Sequence, residues 1–102
     1  MTLWVSDMFV QTVKFRLKPE TSRATFLLLT EKMITWLKLR DGFVAYELYE
    51  GVEYWSDRIL WRDKENAETG LKDLYQTDIA SQIMLLVQDD FDSFMGLQIV
   101  AA

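Results

Sequence analysis

The stretch Glu53–Arg62, EYWSDRILWR, most constrains what this chain can fold into. It reads as a strand, and successive side chains of a strand point to opposite faces. Glu53, Trp55, Asp57, Ile59 and Trp61 then share one face, which is large and mostly apolar with a carboxylate in its middle. Tyr54, Ser56, Arg58, Leu60 and Arg62 share the other, which is mixed. Both faces need cover. A helix layer is expected on the tryptophan face and a partner subunit on the other.

The chain has 102 residues, the length of a single domain, expected over 1–102. A chain of this size buries roughly 65% of its unfolded surface, enough for one modest core. Half of its residues are nevertheless hydrophobic and 14% are aromatic. Surplus apolar surface of this kind goes to a ligand cavity or a partner interface. The net charge is −5 and the eleven basic residues are scattered, so nucleic-acid binding and anionic-membrane binding are not expected.

The sequence has no cysteine and no histidine. The first absence excludes disulfides and thiolate chemistry and fits a reducing, cytoplasmic setting. The second excludes a histidine-ligated metal, a histidine axial ligand to haem and a histidine general base within the chain. No metal site and no cofactor are expected. The opening MTLWVSDMFVQTV lacks a positive charge before Lys14 and is broken by Ser6 and Asp7, so it does not read as a signal peptide. No stretch is long enough to span a membrane.

Met1 to Asp7 reads as a short lead-in. Met8 to Leu17 alternates, with Phe9, Gln11, Val13, Phe15 and Leu17 on one face, and is the first predicted strand. Lys18-Pro19 ends it. Glu20 to Arg40 reads as a long helix capped by Thr21 or Ser22, with a wide apolar stripe through Ala24, Leu27, Leu28, Ile34 and Leu37 and with Phe26, Leu29, Met33 and Trp36 beside them. Asp41-Gly42 stops it. Phe43 to Glu50 is a second strand, with Phe43, Ala45, Glu47 and Tyr49 opposed to Val44, Tyr46, Leu48 and Glu50. Gly51 turns the chain into Glu53–Arg62 as a hairpin. Asp63 caps a helix from Lys64 to about Tyr75, weakened by Gly70 by about 1 kcal/mol. Thr77 or Asp78 opens a short helix, and Phe91 to Val100 is the last strand.

The order β-α-β-β-α-α-β predicts an α+β, ferredoxin-like sandwich with a four-stranded antiparallel sheet. The helices cover one sheet face. The other carries Met8, Val10, Val44, Tyr46 and Leu48, and leaving these in water costs about 25 cal/mol per Å². A homodimer joined through the open sheet faces is therefore expected.

The strand ending in Trp61, followed by a polar turn and a helix that opens with Glu65, Asn66 and Ala67, resembles the antibiotic-biosynthesis-monooxygenase-like domains. That resemblance spans nearly the whole chain in layout. It implies a dimeric α+β barrel with a cavity between the sheet and helices of each subunit. It also implies oxygenation without metal or flavin, the substrate supplying electrons to oxygen. Haem-degrading members pair a strand asparagine and the tryptophan with a histidine that this chain lacks. Quinone-forming oxygenases place an asparagine four residues before the tryptophan, where this chain has Asp57. An ionised carboxylate cannot donate a hydrogen bond.

Four side chains are candidate site residues. Asp57 can take a phenolic or enolic proton if it faces a cavity, because burial raises a carboxyl pKa. It can equally form a salt bridge to Lys14 or Arg16. Trp61 and Trp55 can wall a planar aromatic ligand or simply pack the core. Gln11 can orient a ligand carbonyl or be satisfied by backbone. Arg58 and Arg62 are expected to pair with Glu47, Glu50 or partner carboxylates. Tyr46, Tyr49 and Tyr54 are expected at an interface or rim, and Met33, Met84 and Met95 in the core. Asp89, Asp90 and Asp92 lack the full calcium-loop pattern and read as a solvated turn. A ligand pocket here needs several hundred Å³. The two functions these features allow are a cofactor-independent monooxygenase acting on a small aromatic, polyketide-like molecule, and a non-catalytic homodimeric binding or assembly module.

Overall fold

A computed structural model describes residues 3–4 and 7–102, with side chains from residue 7 onward. The predicted lead-in lies largely outside the described residues. Within it, Leu3–Trp4 pairs antiparallel with Val100–Ala101 near the other end of the chain.

The main elements are β1 (Phe9–Phe15), α1 (Arg23–Leu37), β2 (Phe43–Glu50), β3 (Trp55–Trp61), α2 (Lys64–Leu74), α3 (Asp78–Met84) and β4 (Asp92–Leu97). The four strands form an antiparallel sheet in the spatial order β2-β3-β1-β4, the ferredoxin-like α+β arrangement. The opening stretch is thus an interior strand, flanked by β1 and β2.

Local chemistry sets the helix boundaries. Ser22 Oγ accepts the Thr25 N–H at 3.3 Å, Asp63 Oδ1 the Asn66 N–H at 2.8 Å, and Thr77 Oγ1 the Ala80 N–H at 3.1 Å. Each supplies a partner to a donor in the first turn. After α1 the chain reverses at Gly42, whose φ of 78° suits a residue without Cβ. The buried stripe of α1 runs through Phe26, Leu29, Thr30, Met33 and Leu37. Phe26, Leu29, Met33 and Leu37 belong to the predicted wide stripe, whereas Ala24 and Leu28 of that stripe face water.

Register places the faces. Phe9, Gln11, Val13 and Phe15 of β1 lie opposite Trp61, Ile59, Asp57 and Trp55 of β3, and this shared face looks toward the helices. On β2 the predicted alternation holds from Ala45 to Glu50 but breaks between Phe43 and Ala45. A β-bulge between Phe43 and Ala45 inserts one residue, so Phe43, Tyr46 and Leu48 all face inward with the core. Tyr46 is therefore not an interface residue, and the outer face loses both Tyr46 and Leu48. What remains outward includes Val44, Tyr49 and Phe94, exposed by 43%, 53% and 60%.

The core centres on Trp61, Leu37 and Ala67, none of which is exposed. Trp61 meets Phe43 edge to face at 6.2 Å. Gly70, which weakens α2 in isolation, is explained by this ring: a Cβ there would lie 2.2 Å from the indole. A second cluster gathers Phe15, Phe26 and Val87, with Trp55 stacked on Phe15 at 6.5 Å and edge-on to Phe26 at 5.1 Å. Of the predicted core methionines only Met33 is buried; Met84 and Met95 are 42% and 38% exposed. Met95 and Leu97 lie at the sheet edge, where the helix layer does not reach them.

Candidate functional site

The inward face of the sheet meets the helices around a cavity of about 100 Å³. Its sheet wall carries Gln11, Val13 and Phe15 of β1, Tyr46 of β2, and Asp57 and Ile59 of β3. Phe26, Thr30 and Met33 of α1, Leu71 and Leu74 of α2, and Ala80 and Ile83 of α3 form the opposite wall. Tyr75, Met84 and Phe91 stand at its wet end, exposed by 58%, 42% and 40%. Val87 closes the far side, where Lys18 N–H donates to the Leu86 carbonyl at 2.8 Å and Gln88 N–H to the Arg16 carbonyl at 2.9 Å. The volume is smaller than the several hundred Å³ predicted, because Phe15, Phe26 and Met33 fill much of the space.

Asp57 is the one ionised side chain among the described residues of the wall. It makes no salt bridge to Lys14 or Arg16. The Tyr46 hydroxyl instead donates to Asp57 Oδ2 at 3.0 Å. Burial raises the Asp57 carboxyl from 3.8 to about 6, against the opposing pull of the Tyr46 bond and of the Val13 backbone. The phenol of Tyr46 is pushed well above its ordinary value, first by burial and then by the charge and hydrogen bond of Asp57. At neutral pH the pair is thus a carboxylate with a phenol donor fixed to one oxygen. An ionised carboxyl has further lone pairs, which a ligand hydroxyl can use.

Gln11 is 5% exposed, and its Oε1 has no hydrogen-bond partner. It is not satisfied by backbone, as one of its sequence readings held. A buried unpaired amide oxygen costs about 1–3 kcal/mol, so it marks a place where a bound donor is welcome. The Thr30 hydroxyl offers no such opening, because it donates to the Phe26 carbonyl at 2.9 Å within α1.

The two tryptophans do not touch the cavity. Trp61 is sealed in the core beside Gly70 and Ala67, its Nε1 without a partner. Trp55 backs Phe15 and Phe26, which do line the cavity, and so supports that wall from one layer out. The structure therefore brings Asp57 and Gln11 together and leaves Trp55 and Trp61 behind. Tyr46 joins them, hidden from the sequence by the bulge in β2.

The remaining charged groups lie elsewhere. Arg58 Nε donates to Glu47 Oε1 at 2.8 Å on the outer face, one of its predicted pairings. Arg62 lies 3.9 Å from Asp63 rather than on Glu47 or Glu50. Asp90 takes Arg16 in an exposed ion pair. No group of acidic residues among the described ones is arranged to hold a metal ion. No helix among them is long and apolar enough to cross a membrane.

No family model matches the sequence, and no curated protein matches it. Solved structures do. SnoaB from Streptomyces nogalater, described as a cofactor-independent oxygenase, superposes with a TM-score of 0.79 at 14% identity, covering 91% of this chain and 94% of that one. A conserved protein from Methanosarcina mazei gives 0.71 at 16% identity, over 89% and 92% of the two chains. A structure described as an antibiotic biosynthesis monooxygenase gives 0.68 at 14% identity, over 89% and 98%. The chain therefore has the α+β ferredoxin-like fold of the antibiotic biosynthesis monooxygenase-type proteins.

Proposed function

We propose that this protein is a monooxygenase-like homodimer that uses no cofactor and acts on, or binds, a small aromatic, polyketide-like molecule in the cavity between its sheet and helices. The observation that carries this reading is the Asp57–Tyr46 pair in an otherwise apolar, aromatic-walled cavity. A carboxyl poised near pH 6 is mostly ionised at neutral pH yet basic enough to take a proton in part from a phenol or enol. The resulting anion is electron-rich, and dioxygen is the oxidant it would meet. The oxygenases among the proteins that share the fold support this chemistry. The outer sheet face, with Val44 and Phe94 half in water, supports the dimer.

Oxygen uptake with a panel of quinols and phenols tests the catalytic part. The expected result is consumption by the wild-type protein and a fall of about 10²-fold or more in Asp57→Asn, the usual loss for a general base. No uptake with any of them would remove the oxygenase reading.

The burial of Trp61 away from the cavity favours a second reading, a non-catalytic homodimeric module that binds a small molecule. Native mass spectrometry of the purified protein separates the two. A retained apolar ligand without oxygen uptake supports binding alone.

A further inference from the structure

The cavity specifies its ligand more narrowly than the fold does. This inference rests on the proposed ligand-binding role of the cavity and adds the chemical class of the ligand. Size sets the first limit. An apolar cavity of about 150 Å³ holds one benzene, and this one measures about 100 Å³. One ring therefore needs the walls to yield by about 50 Å³. A fused second ring needs more, and would have to force apart Tyr75, Met84 and Phe91 at the mouth.

Charge sets the second limit. Among the described residues no lysine or arginine lines the cavity. A ligand carboxylate or phosphate would meet Asp57 with nothing to balance it, and an unpaired buried charge is costly. Hydrogen-bond polarity sets the third. Tyr46 already spends its proton on Asp57, so the ligand must donate to that carboxylate. Gln11 sits opposite Ile59, one inward position along from the Val13–Asp57 pair. Such diagonal neighbours lie roughly 7–8 Å apart at the backbone, a span across which one ring can carry two hydroxyls. The unpartnered Gln11 Oε1 is a second acceptor.

We propose that the cavity is a site for a neutral, single-ring phenol with two hydroxyls, one donating to Asp57 and the other to Gln11. Isothermal titration of the full chain with resorcinol, phenol, 1-naphthol and benzoate tests this. Resorcinol should bind about tenfold more tightly than phenol, the ~1.4 kcal/mol of one additional hydrogen bond. Naphthol and benzoate should show no saturable binding. Gln11→Leu should bring resorcinol and phenol together, while Asp57→Asn should weaken both. Naphthol binding as well as resorcinol, or benzoate binding better than phenol, would overturn the proposal. So would resorcinol failing to bind. The comparison of ligands on the wild-type chain stands even if a variant does not fold. Resorcinol binding with no oxygen uptake from any phenol sinks the oxygenase reading and leaves this one. Oxygen uptake with fused-ring phenols alone does the reverse.

Discussion

Asp57 is held at a cost. Its carboxyl titrates at 3.8 when exposed and at about 6 in the folded chain, so the folded state binds the proton more tightly. The penalty for burying the charge is fully present above pH 6 and gone below about pH 4. Asp57→Asn removes it while leaving an oxygen for the Tyr46 hydroxyl. The variant should therefore be more stable near pH 7.5, by up to about 3 kcal/mol at 1.36 kcal/mol per unit, with the gain vanishing by pH 4. Urea unfolding across that pH range checks it. Tyr46→Phe acts on the same group in the other direction. The Tyr46 bond lowers the Asp57 carboxyl, so its loss should raise the titration midpoint, read directly by carbon NMR of the carboxyl. A midpoint unchanged from wild type would mean that the bond does not form in solution. The aspartate stood out in the sequence as a charge among tryptophans on a strand. Its partner did not, because an inward tyrosine and an outward one look alike until the strand's phase is known.

The elements were legible where their punctuation is chemical. Ser22, Asp63 and Thr77 each cap the helix predicted after them, and Asp63→Ala should cost about 1 kcal/mol. The helix stripe on α1 was legible only as a wide band, since nearly every residue from Ala24 to Leu29 is apolar and propensity alone cannot say which side meets the sheet. Gly70 shows the limit of local rules. By helix propensity Gly70→Ala should gain about 1 kcal/mol. The new methyl would enter the fully buried indole of Trp61, and overpacking costs about 1–3 kcal/mol. The clash should win, for a net loss of up to about 2 kcal/mol in chemical denaturation. A gain would show that Trp61 can move.

For the whole molecule, the four-stranded antiparallel sheet followed from the succession of elements, and the size of the cavity did not. Composition promised surplus apolar surface, but the chain uses part of that surplus to fill its own interior with Phe15, Phe26 and Met33. The proposed dimer has to cover the rest. Light scattering at micromolar concentration should give twice the chain mass, and Phe94→Lys should shift it toward the monomer by placing a charge on the outer face beside Gly96. A wild-type monomer would overturn the dimer. The bulge in β2 carries one more consequence, for how this chain can change over evolutionary time. Val44 is the surplus residue: without it Phe43 and Ala45 would still sit opposite Trp61 and Leu60, and Tyr46 would still reach Asp57. Loss of one residue between Tyr46 and Glu50 would instead turn everything beyond it inside out. The strand is thus divided into a segment that tolerates the loss of one residue and one that does not, and the boundary falls one residue before the tyrosine.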